Sequence, residues 1–331
     1  MSGFDHFEGL FGNEQLKNYL NSGISSEKLP HALIFDGAEG SGKKTAAIMT
    51  ASALEPDYSD KIRRMISPDV TLHTTEEGKK SIGVSLIRSI REAAYITPQE
   101  LSIRVFIISG AHTMTVEAQN ALLKILEEPP GKVYFFLLCE NASALLPTVR
   151  SRAPVLRMQS FADGELTEYL VSHDDKAKRL FERDPEAFGT LIRASEGTIG
   201  GALKRLGSSG SDAQKLRKRV SELLELLSGG IRAEVTLFFV SGMYTRDELD
   251  TLMLFLSLSV RDMLTVKYGI NTDTVYFTHY EEAAAISAQF ARDTLMKTYT
   301  CADKMRGYLT ANVNPQLFSL RAADMLCEAL K

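Results

Sequence analysis

The feature that most constrains this chain is the glycine-rich segment GAEGSGKKT at residues 37–45. Gly37, Gly42 and Lys43 fit the G-x-x-x-x-G-K spacing of a phosphate-binding loop, in which backbone N–H groups and the lysine surround phosphate oxygens. The spacing alone is a weak signal, because a chain of this length meets it by chance in roughly one of ten sequences. Its position between a strand and a helix therefore decides its meaning.

That position favours a true phosphate-binding loop. The apolar run HALIFD at 31–36 precedes the segment and predicts a buried strand, and the good helix formers of KKTAAIMTASAL at 43–54 follow it. This strand–loop–helix order is the context that the motif requires. The residues predicted to surround a phosphate are Gly37, Gly40, Gly42, Lys43 and Thr45.

The rest of the first half repeats this alternation. Strands are predicted at 67–75, 103–110 and 132–140, and helices at 83–96 and 115–128. Near-continuous apolar strands that alternate with helices indicate a parallel sheet covered on both faces. The sequence therefore predicts an α/β domain over residues 1–160.

The second half carries almost only helical patterns. We expect a small helical lid domain over 161–207, with Asp163 as the N-cap of its first helix. An all-α C-terminal domain over 208–331 follows, and the Gly/Ser-rich end of the 200–212 segment is the best linker candidate between them.

The metal-binding half of the motif is damaged. Lys44 stands where a Ser or Thr hydroxyl would bind Mg²⁺, and Thr45 lies about 100° further round the helix. The apolar strand VFII ends in Ser109 and Gly110, where a Walker B strand would carry an Asp-Glu pair. We therefore expect no metal ligands and little or no hydrolysis of ATP by this chain alone.

Composition bears on three other classes: nucleic-acid-binding, membrane and zinc-binding proteins. The net charge of −4 provides no global attraction to nucleic acid, and the basic cluster KLRKRV at 215–220 is the one local support for a DNA-binding protein. The apolar stretch at 249–266 is interrupted by charges and indicates a buried helix rather than a membrane span. The cysteines are too far apart to form a zinc site, and we expect three reduced thiols in a cytoplasmic protein: Cys139, Cys301 and Cys327.

Two further segments carry a resemblance to a known family. TMTVEAQNALLKILEEPP at 113–130 and LLPTVRSR at 145–152 resemble the clamp-loader branch of the AAA+ proteins. Gly12 and Asn13 stand in for the Gly-Gln pair that lies near the adenine site in that family. The resemblance is good over residues 7–158, moderate to 206, and beyond that depends on helical character alone.

The resemblance assigns an expected role to one arginine. Ser151 and Arg152 match the family's Ser-Arg-Cys motif, with Ala153 in the cysteine position, and the arginine of that motif reaches the ATP of a neighbouring subunit. The family's ATP-sensing arginine would fall at Gly200, and the four zinc-binding cysteines of many relatives are absent. The resemblance thus implies a subunit whose own ATP site is silent, with no zinc and no required cofactor, although ATP or ADP could still bind weakly in a vestigial loop.

The implied function is that of a non-hydrolysing subunit in a DNA polymerase III clamp loader, a complex within a nucleotidyltransferase holoenzyme. Its implied partners are the gamma/tau and delta subunits, with the sliding clamp and primer–template DNA reached through the complex, and no membrane. The C-terminal helices would join an oligomeric collar. Two alternatives remain open: an ATP-hydrolysing subunit of the gamma/tau type, and a DNA-binding regulator that uses the AAA+ fold as a scaffold.

Overall fold

The computed structural model describes residues 6–76, 79, 81–209, 213–270, 274–277, 279–309 and 313–330. The chain divides into two compact units, with the division between Ser160 and Phe161. The first unit is an α/β unit and the second is helical. The further separation of a lid over 161–207 from a collar over 208–331 stays a prediction.

A five-stranded parallel sheet forms the centre of the first unit, in the order β2-β3-β4-β1-β5. Its strands are β1 (Ala32–Asp36), β2 (Val70–His73), β3 (Arg104–Ser109), β4 (Val133–Cys139) and β5 (Val155–Arg157). The four predicted strands are confirmed. The three-residue edge strand β5 has no sequence prediction, because its apolar signal is too short and only its central residue is buried.

Helices cover both faces of this sheet, as predicted. They are α1 (Glu14–Ser25), α2 (Lys43–Leu54), α3 (Ser59–Arg63), α4 (Val84–Ala94), α5 (Val116–Glu127) and α6 (Pro147–Arg150). Successive strand residues point to opposite faces. Phe135 consequently stacks on Phe106 in the core beneath α4 and α5, whereas Phe136 meets Phe35 edge-on in the core beneath α1 and α2.

The second unit contains ten helices among its described residues. They are α7 (Asp163–His173), α8 (Asp175–Arg183), α9 (Pro185–Ala194), α10 (Ile199–Ser209), α11 (Ala213–Gly229), α12 (Arg232–Ser241), α13 (Arg246–Lys267), α14 (Tyr280–Ser287), α15 (Arg292–Leu309) and α16 (Pro315–Ala329). The apolar stretch at 249–266 lies within α13, most of which is buried. In the part of the chain that the structure describes, no helix is both long enough and apolar enough to cross a membrane.

Two predictions about this unit are wrong in detail. Asp163 is the first residue of α7 and not its N-cap, which is Ala162, whose N–H donates to Glu165 at 2.9 Å. The predicted linker is helical as far as Ser209, because α10 continues through the glycines, and only residues 210–212 lie outside the described residues.

Candidate functional site

The glycine-rich loop joins the end of β1 to the start of α2, as the motif predicts. Gly40 and Gly42 have φ angles of 80° and 90°, which residues other than glycine rarely adopt. Gly37 is required for a different reason, since a Cβ there would lie 2.8 Å from the Cβ of Met158. The close approach of the segment that follows β5 therefore shapes the loop together with the backbone angles.

The lysine of the loop is turned onto the loop itself. Lys43 Nζ donates hydrogen bonds to the carbonyl oxygens of Gly37 at 2.5 Å and Ala38 at 2.7 Å. Burial lowers the pKa of Lys43, against the opposing effect of nearby carboxylates, first that of Glu140. To reach a phosphate, the ammonium group would have to give up both carbonyl partners.

Carboxylates also gather around this lysine. Asp36 ends β1, and its side chain accepts a hydrogen bond from the Ala142 N–H at 2.8 Å. Glu140 follows β4, and together with Asp36 and Glu39 it interacts electrostatically with Lys43. Their negative charges oppose the binding of a phosphate. Sequence reasoning missed this grouping, because the pairing of β1 with β4, distant in the chain, brings the two strand ends together.

The hydroxyl position of the motif lies at the start of α2. Lys44 and Thr45 are both exposed there. The neighbouring Ser41 Oγ is buried and has no hydrogen-bond partner among the described residues. Sequence reasoning missed Ser41, which occupies one of the variable positions of the motif.

The predicted Walker B position contains a turn in place of acids. Ser109 ends β3 opposite Leu138 of β4, and Gly110 has a φ angle of 74°. The Thr113 hydroxyl and backbone N–H both donate to the Gly110 carbonyl at 2.8 Å. No carboxylate is carried by the residues that end this strand and form its turn.

Arg152 lies just after α6, and its guanidinium contacts Glu127, the Thr148 carbonyl and, at 3.3 Å, the Ser151 hydroxyl. Nη2 lies 2.6 Å from a carboxylate oxygen of Glu127, the last residue of α5. Nη1 donates to the carbonyl oxygen of Thr148 at 2.9 Å. The Arg152 side chain nevertheless keeps 34% of its area exposed. The neighbouring Arg150 is exposed, and its side chain contacts no polar partner in the described part of the chain.

The residues beside Arg152 fix its backbone. The Ser151 hydroxyl donates to the Thr148 carbonyl at 3.0 Å, and Ala153 is buried. The buried amide of Gln119 accepts from the Leu146 N–H at 2.7 Å and so ties the start of α6 to α5. Sequence reasoning missed Gln119, although the polar residue falls among apolar positions of the predicted helix.

Asn13, predicted to lie near an adenine site, connects two segments of the first unit. Its backbone N–H donates to the Gln159 side chain at 2.9 Å, and the Gln159 N–H donates to its side-chain oxygen at 2.8 Å. Asn13 adopts a φ angle of 58°, which Asn tolerates better than most residues. The amide of Asn13 therefore performs a structural task, and its proximity to a base stays a prediction.

The remaining candidates lie in the helical unit. Gly200 is the second residue of α10, where the family's sensor arginine would fall. In the basic cluster, Arg217 binds Glu186 at 2.9 Å and Arg219 lies 4.1 Å from the Phe238 ring centre. These two arginines are engaged within the fold and do not form an open basic patch.

The cysteines occupy separate buried positions. Cys139 ends β4, and burial raises the pKa of its thiol to about 12. Cys301 and Cys327 lie on α15 and α16. Within the described residues, no group of three or more His, Cys, Asp or Glu side chains could hold a metal ion.

These features define the class of the first unit. A parallel sheet with the strand order β2-β3-β4-β1-β5, and a glycine-rich loop between its β1 strand and α2, is an α/β domain of the P-loop type. Helices make up the rest of the chain.

Comparison with known proteins relates the chain to subunits of DNA polymerase III. A family model described as "DNA polymerase III, delta subunit" matches residues 12–162. The DNA polymerase III subunit delta' of Bacillus subtilis is 25% identical over 315 residues, covering 90% of this chain and 91% of that protein. The tau subunit of the same organism is 27% identical over 256 residues, covering 67% of this chain and 45% of its own length. Residues 12–162 therefore match a DNA polymerase III delta subunit family model, and the chain as a whole is similar to DNA polymerase III subunits of the delta' and tau types.

A solved structure of the Bacillus subtilis DNA clamp loader delta protein has a lower similarity. It is 12% identical with a TM-score of 0.37, covering 94% of this chain and 99% of that chain.

Proposed function

We propose that this chain is the delta'-type subunit of a bacterial DNA polymerase III clamp loader, and that it acts through Arg152 on the ATP of a neighbouring gamma/tau subunit. One observation carries the proposal. The two motif cations of the first unit are held differently, since Lys43 is turned onto its own loop while Arg152 is held at a partly exposed edge. The chain is therefore better suited to act on another subunit's nucleotide than on its own.

The chemistry of its own loop supports a silent site. Asp36, Glu39 and Glu140 interact electrostatically with Lys43, and no acid follows β3 at Ser109 and Gly110. A phosphoryl transfer needs positive charge around its equatorial oxygens and a positioned metal ion. ATP or ADP would bind weakly or not at all here, and the chain needs neither a cofactor nor zinc to perform the proposed role.

An arginine supplied by a neighbour provides what such a loader needs. In phosphoryl-transfer systems, an arginine that stabilises the transition state contributes about 10³–10⁵ in rate. Arg152 combines a guanidinium held in place with a partly exposed side chain, and both are needed for this task. Loss of Arg152 would remove a positive charge that stabilises the negative charge developing on the phosphate oxygens in the transition state.

The C-terminal helices support assembly with the gamma/tau and delta subunits. Apolar side chains are exposed on α12 and α16, and some of them line a cavity of about 560 Å³ between these helices. The exposed apolar side chains are Leu237, Val240, Leu317 and Leu320, with Met243 just beyond α12. A collar of helices from several subunits would bury them. The sliding clamp and primed DNA would be reached through the assembled cytoplasmic complex.

The proposal is tested by single-turnover, DNA-stimulated ATP hydrolysis in a loader reconstituted from its purified subunits. We expect Arg152→Ala to slow hydrolysis about 10³-fold at the one ATP site that it serves. The matched control Arg150→Ala removes a nearby exposed arginine and leaves this rate unchanged. An unchanged rate in Arg152→Ala would overturn the proposal.

The alternative of an ATP-hydrolysing subunit has support in the similarity to gamma and tau subunits. The same assay run on the isolated chain decides this alternative. Magnesium-dependent turnover by the wild-type chain, abolished by Lys43→Ala, would favour the motor and contradict the proposed function.

A further inference from the structure

We propose that Glu127 is a positioning residue for Arg152, and that it orients the guanidinium toward the nucleotide of the neighbouring subunit. This inference rests on the proposed function of Arg152. Glu127 would not touch the nucleotide and would act only through the arginine. Its effect would therefore disappear when Arg152 is absent.

The geometry holds the guanidinium at two separate atoms. Glu127 engages Nη2 at 2.6 Å, and the Thr148 carbonyl engages Nη1 at 2.9 Å. Two anchors on different nitrogens define the plane of the guanidinium as well as its position. Because Arg152 has five N–H donors, several remain for a phosphate while both anchors are kept.

The place of Glu127 in its helix points to a role beyond folding. It is the last residue of α5, where the helix dipole disfavours a carboxylate. The ion pair is partly exposed on both sides, at 34% for Arg152 and 49% for Glu127, and such pairs contribute little to folding stability. The carboxylate is thus poorly explained as a stabiliser of the helix or of the fold.

The backbone around the ion pair is held in place by a separate contact. Gln119 ties the segment before α6 to α5 through the Leu146 N–H, so the helix that carries Glu127 and the turn that carries Arg152 are connected independently of the ion pair. Removal of the carboxylate is therefore expected to free the guanidinium while the turn stays in place. Misplacement of a catalytic group by about 1 Å can cost on the order of a hundredfold in rate.

A matched control stands next to Glu127 in the sequence. Glu128 is also exposed and acidic, and its side chain contacts no polar partner in the described part of the chain. Glu127→Gln and Glu128→Gln therefore make the same change in charge at neighbouring positions. They differ in the loss of the contact with Arg152.

The test is a double-mutant cycle in the reconstituted loader, with single-turnover ATP hydrolysis and the KM for ATP as readouts. We expect Glu127→Gln to slow hydrolysis about 10- to 100-fold with less than a twofold change in KM, and Glu128→Gln to change neither. The double variant Glu127→Gln with Arg152→Ala should hydrolyse no more slowly than Arg152→Ala alone. Glu127→Asp keeps the charge and should recover part of the rate.

The outcomes separate the two proposals. If Arg152→Ala has no effect, the proposed function fails. If Arg152→Ala is slow while Glu127→Gln hydrolyses at the wild-type rate, only the role of Glu127 is overturned. A faster rate in Glu127→Gln would likewise overturn it, because the carboxylate would then restrain the arginine instead of positioning it. A melting temperature of Glu127→Gln equal to wild type shows that any loss of rate comes from the site.

Discussion

The glycine-rich loop and the Arg152 corner each present one cation, and they hold it in opposite ways. Lys43 is satisfied by neutral carbonyl oxygens of its own loop and lies among carboxylates. Arg152 is paired with the Glu127 carboxylate and the Thr148 carbonyl at a partly exposed edge. The lysine of a motif that matches in spacing can thus be bonded to its own loop, while Arg152 keeps a partly exposed guanidinium in a fixed orientation.

The buried pair of Arg104 and Asp69 provides a third case, in which an arginine is purely structural. Their side chains are 9% and 0% exposed, and Nη2 of Arg104 lies 3.0 Å from Asp69. Asp69 also accepts hydrogen bonds from three consecutive backbone N–H groups, at residues 99–101. The Arg104 side chain pairs with a buried carboxylate inside the unit, so it is a structural reference with which Arg152 can be compared.

The largest difference between Lys43 and Arg152 is expected when each of the two cations is removed in turn. Arg152→Ala should slow hydrolysis at the neighbouring ATP site about 10³-fold, whereas Lys43→Ala should change it less than twofold. The physical reason is that Lys43 contacts only its own loop in this chain. Single-turnover hydrolysis by loaders reconstituted with each variant makes the measurement, and equal losses would contradict the distinction between the two cations.

The next largest effect concerns stability and separates a structural arginine pair from an oriented one. Asp69→Ala leaves the Arg104 charge buried without its partner and should reduce the free energy of unfolding by about 3–5 kcal/mol. Glu127→Ala should reduce it by only about 0–1 kcal/mol, because its pair is exposed to solvent. Urea denaturation of both variants gives the two values, and a large loss in Glu127→Ala would make Arg152 a structural residue as well.

The pH dependence of stability should identify the same buried pair. Burial opposes the ionised form of Asp69, but the backbone N–H donors and Arg104 outweigh it and hold its pKa below the ordinary value. A lowered pKa in the folded state means that this stabilisation is complete above the unfolded pKa of about 3.9 and is lost as pH falls through the folded pKa. The stability difference between wild type and Asp69→Asn should therefore be constant near neutral pH and shrink in acid. A difference that instead grows in acid would contradict the lowered pKa.

A smaller effect is expected from filling the space at Gly37. In Gly37→Ala the new Cβ would meet the Cβ of Met158 at 2.8 Å, and overpacking of this kind costs about 1–3 kcal/mol. Gly131→Ala is unsuitable as a control because its φ angle is positive, but Gly164, in α7, has open space and is not so strained. Thermal unfolding should show a clear loss for Gly37→Ala and none for Gly164→Ala. Equal melting temperatures would mean that the loop is not shaped by Met158.

The smallest expected effect tests whether the missing hydroxyl alone silences the loop. Lys44→Thr restores the metal-binding residue type, but Ser109 and Gly110 still lack acids and Lys43 still contacts its own carbonyls. We expect no ATP turnover from the isolated Lys44→Thr chain, measured by phosphate release with magnesium. Turnover after this one change would show that Lys44 is the sole defect.

Much of the architecture follows from local patterns. The four long strands and the helices between them are readable because each is either a continuous apolar run or a repeat of period 3.6, and these signals are contained within about ten residues. The pattern fails for β5, which is only three residues long. The Gly/Ser-rich end of α10 misled the linker prediction because the helix that begins at Ile199 continues through Gly207 despite the weak helix propensity of glycine.

The candidate site, like the fold, could be predicted only in part from the sequence. Residue type and spacing were enough to identify the loop glycines, the damaged positions at Lys44 and Ser109, and the arginine at 152. The contacts of Lys43 with Gly37 and of Glu127 with Arg152 became visible in the folded chain alone. Both contacts depend on where a side chain ends in space, and for Arg152 the partner is supplied by another helix, 25 residues away. The distance in space between Glu127 and Arg152 is set by the packing of α5 against α6, and a pattern along the sequence does not contain it.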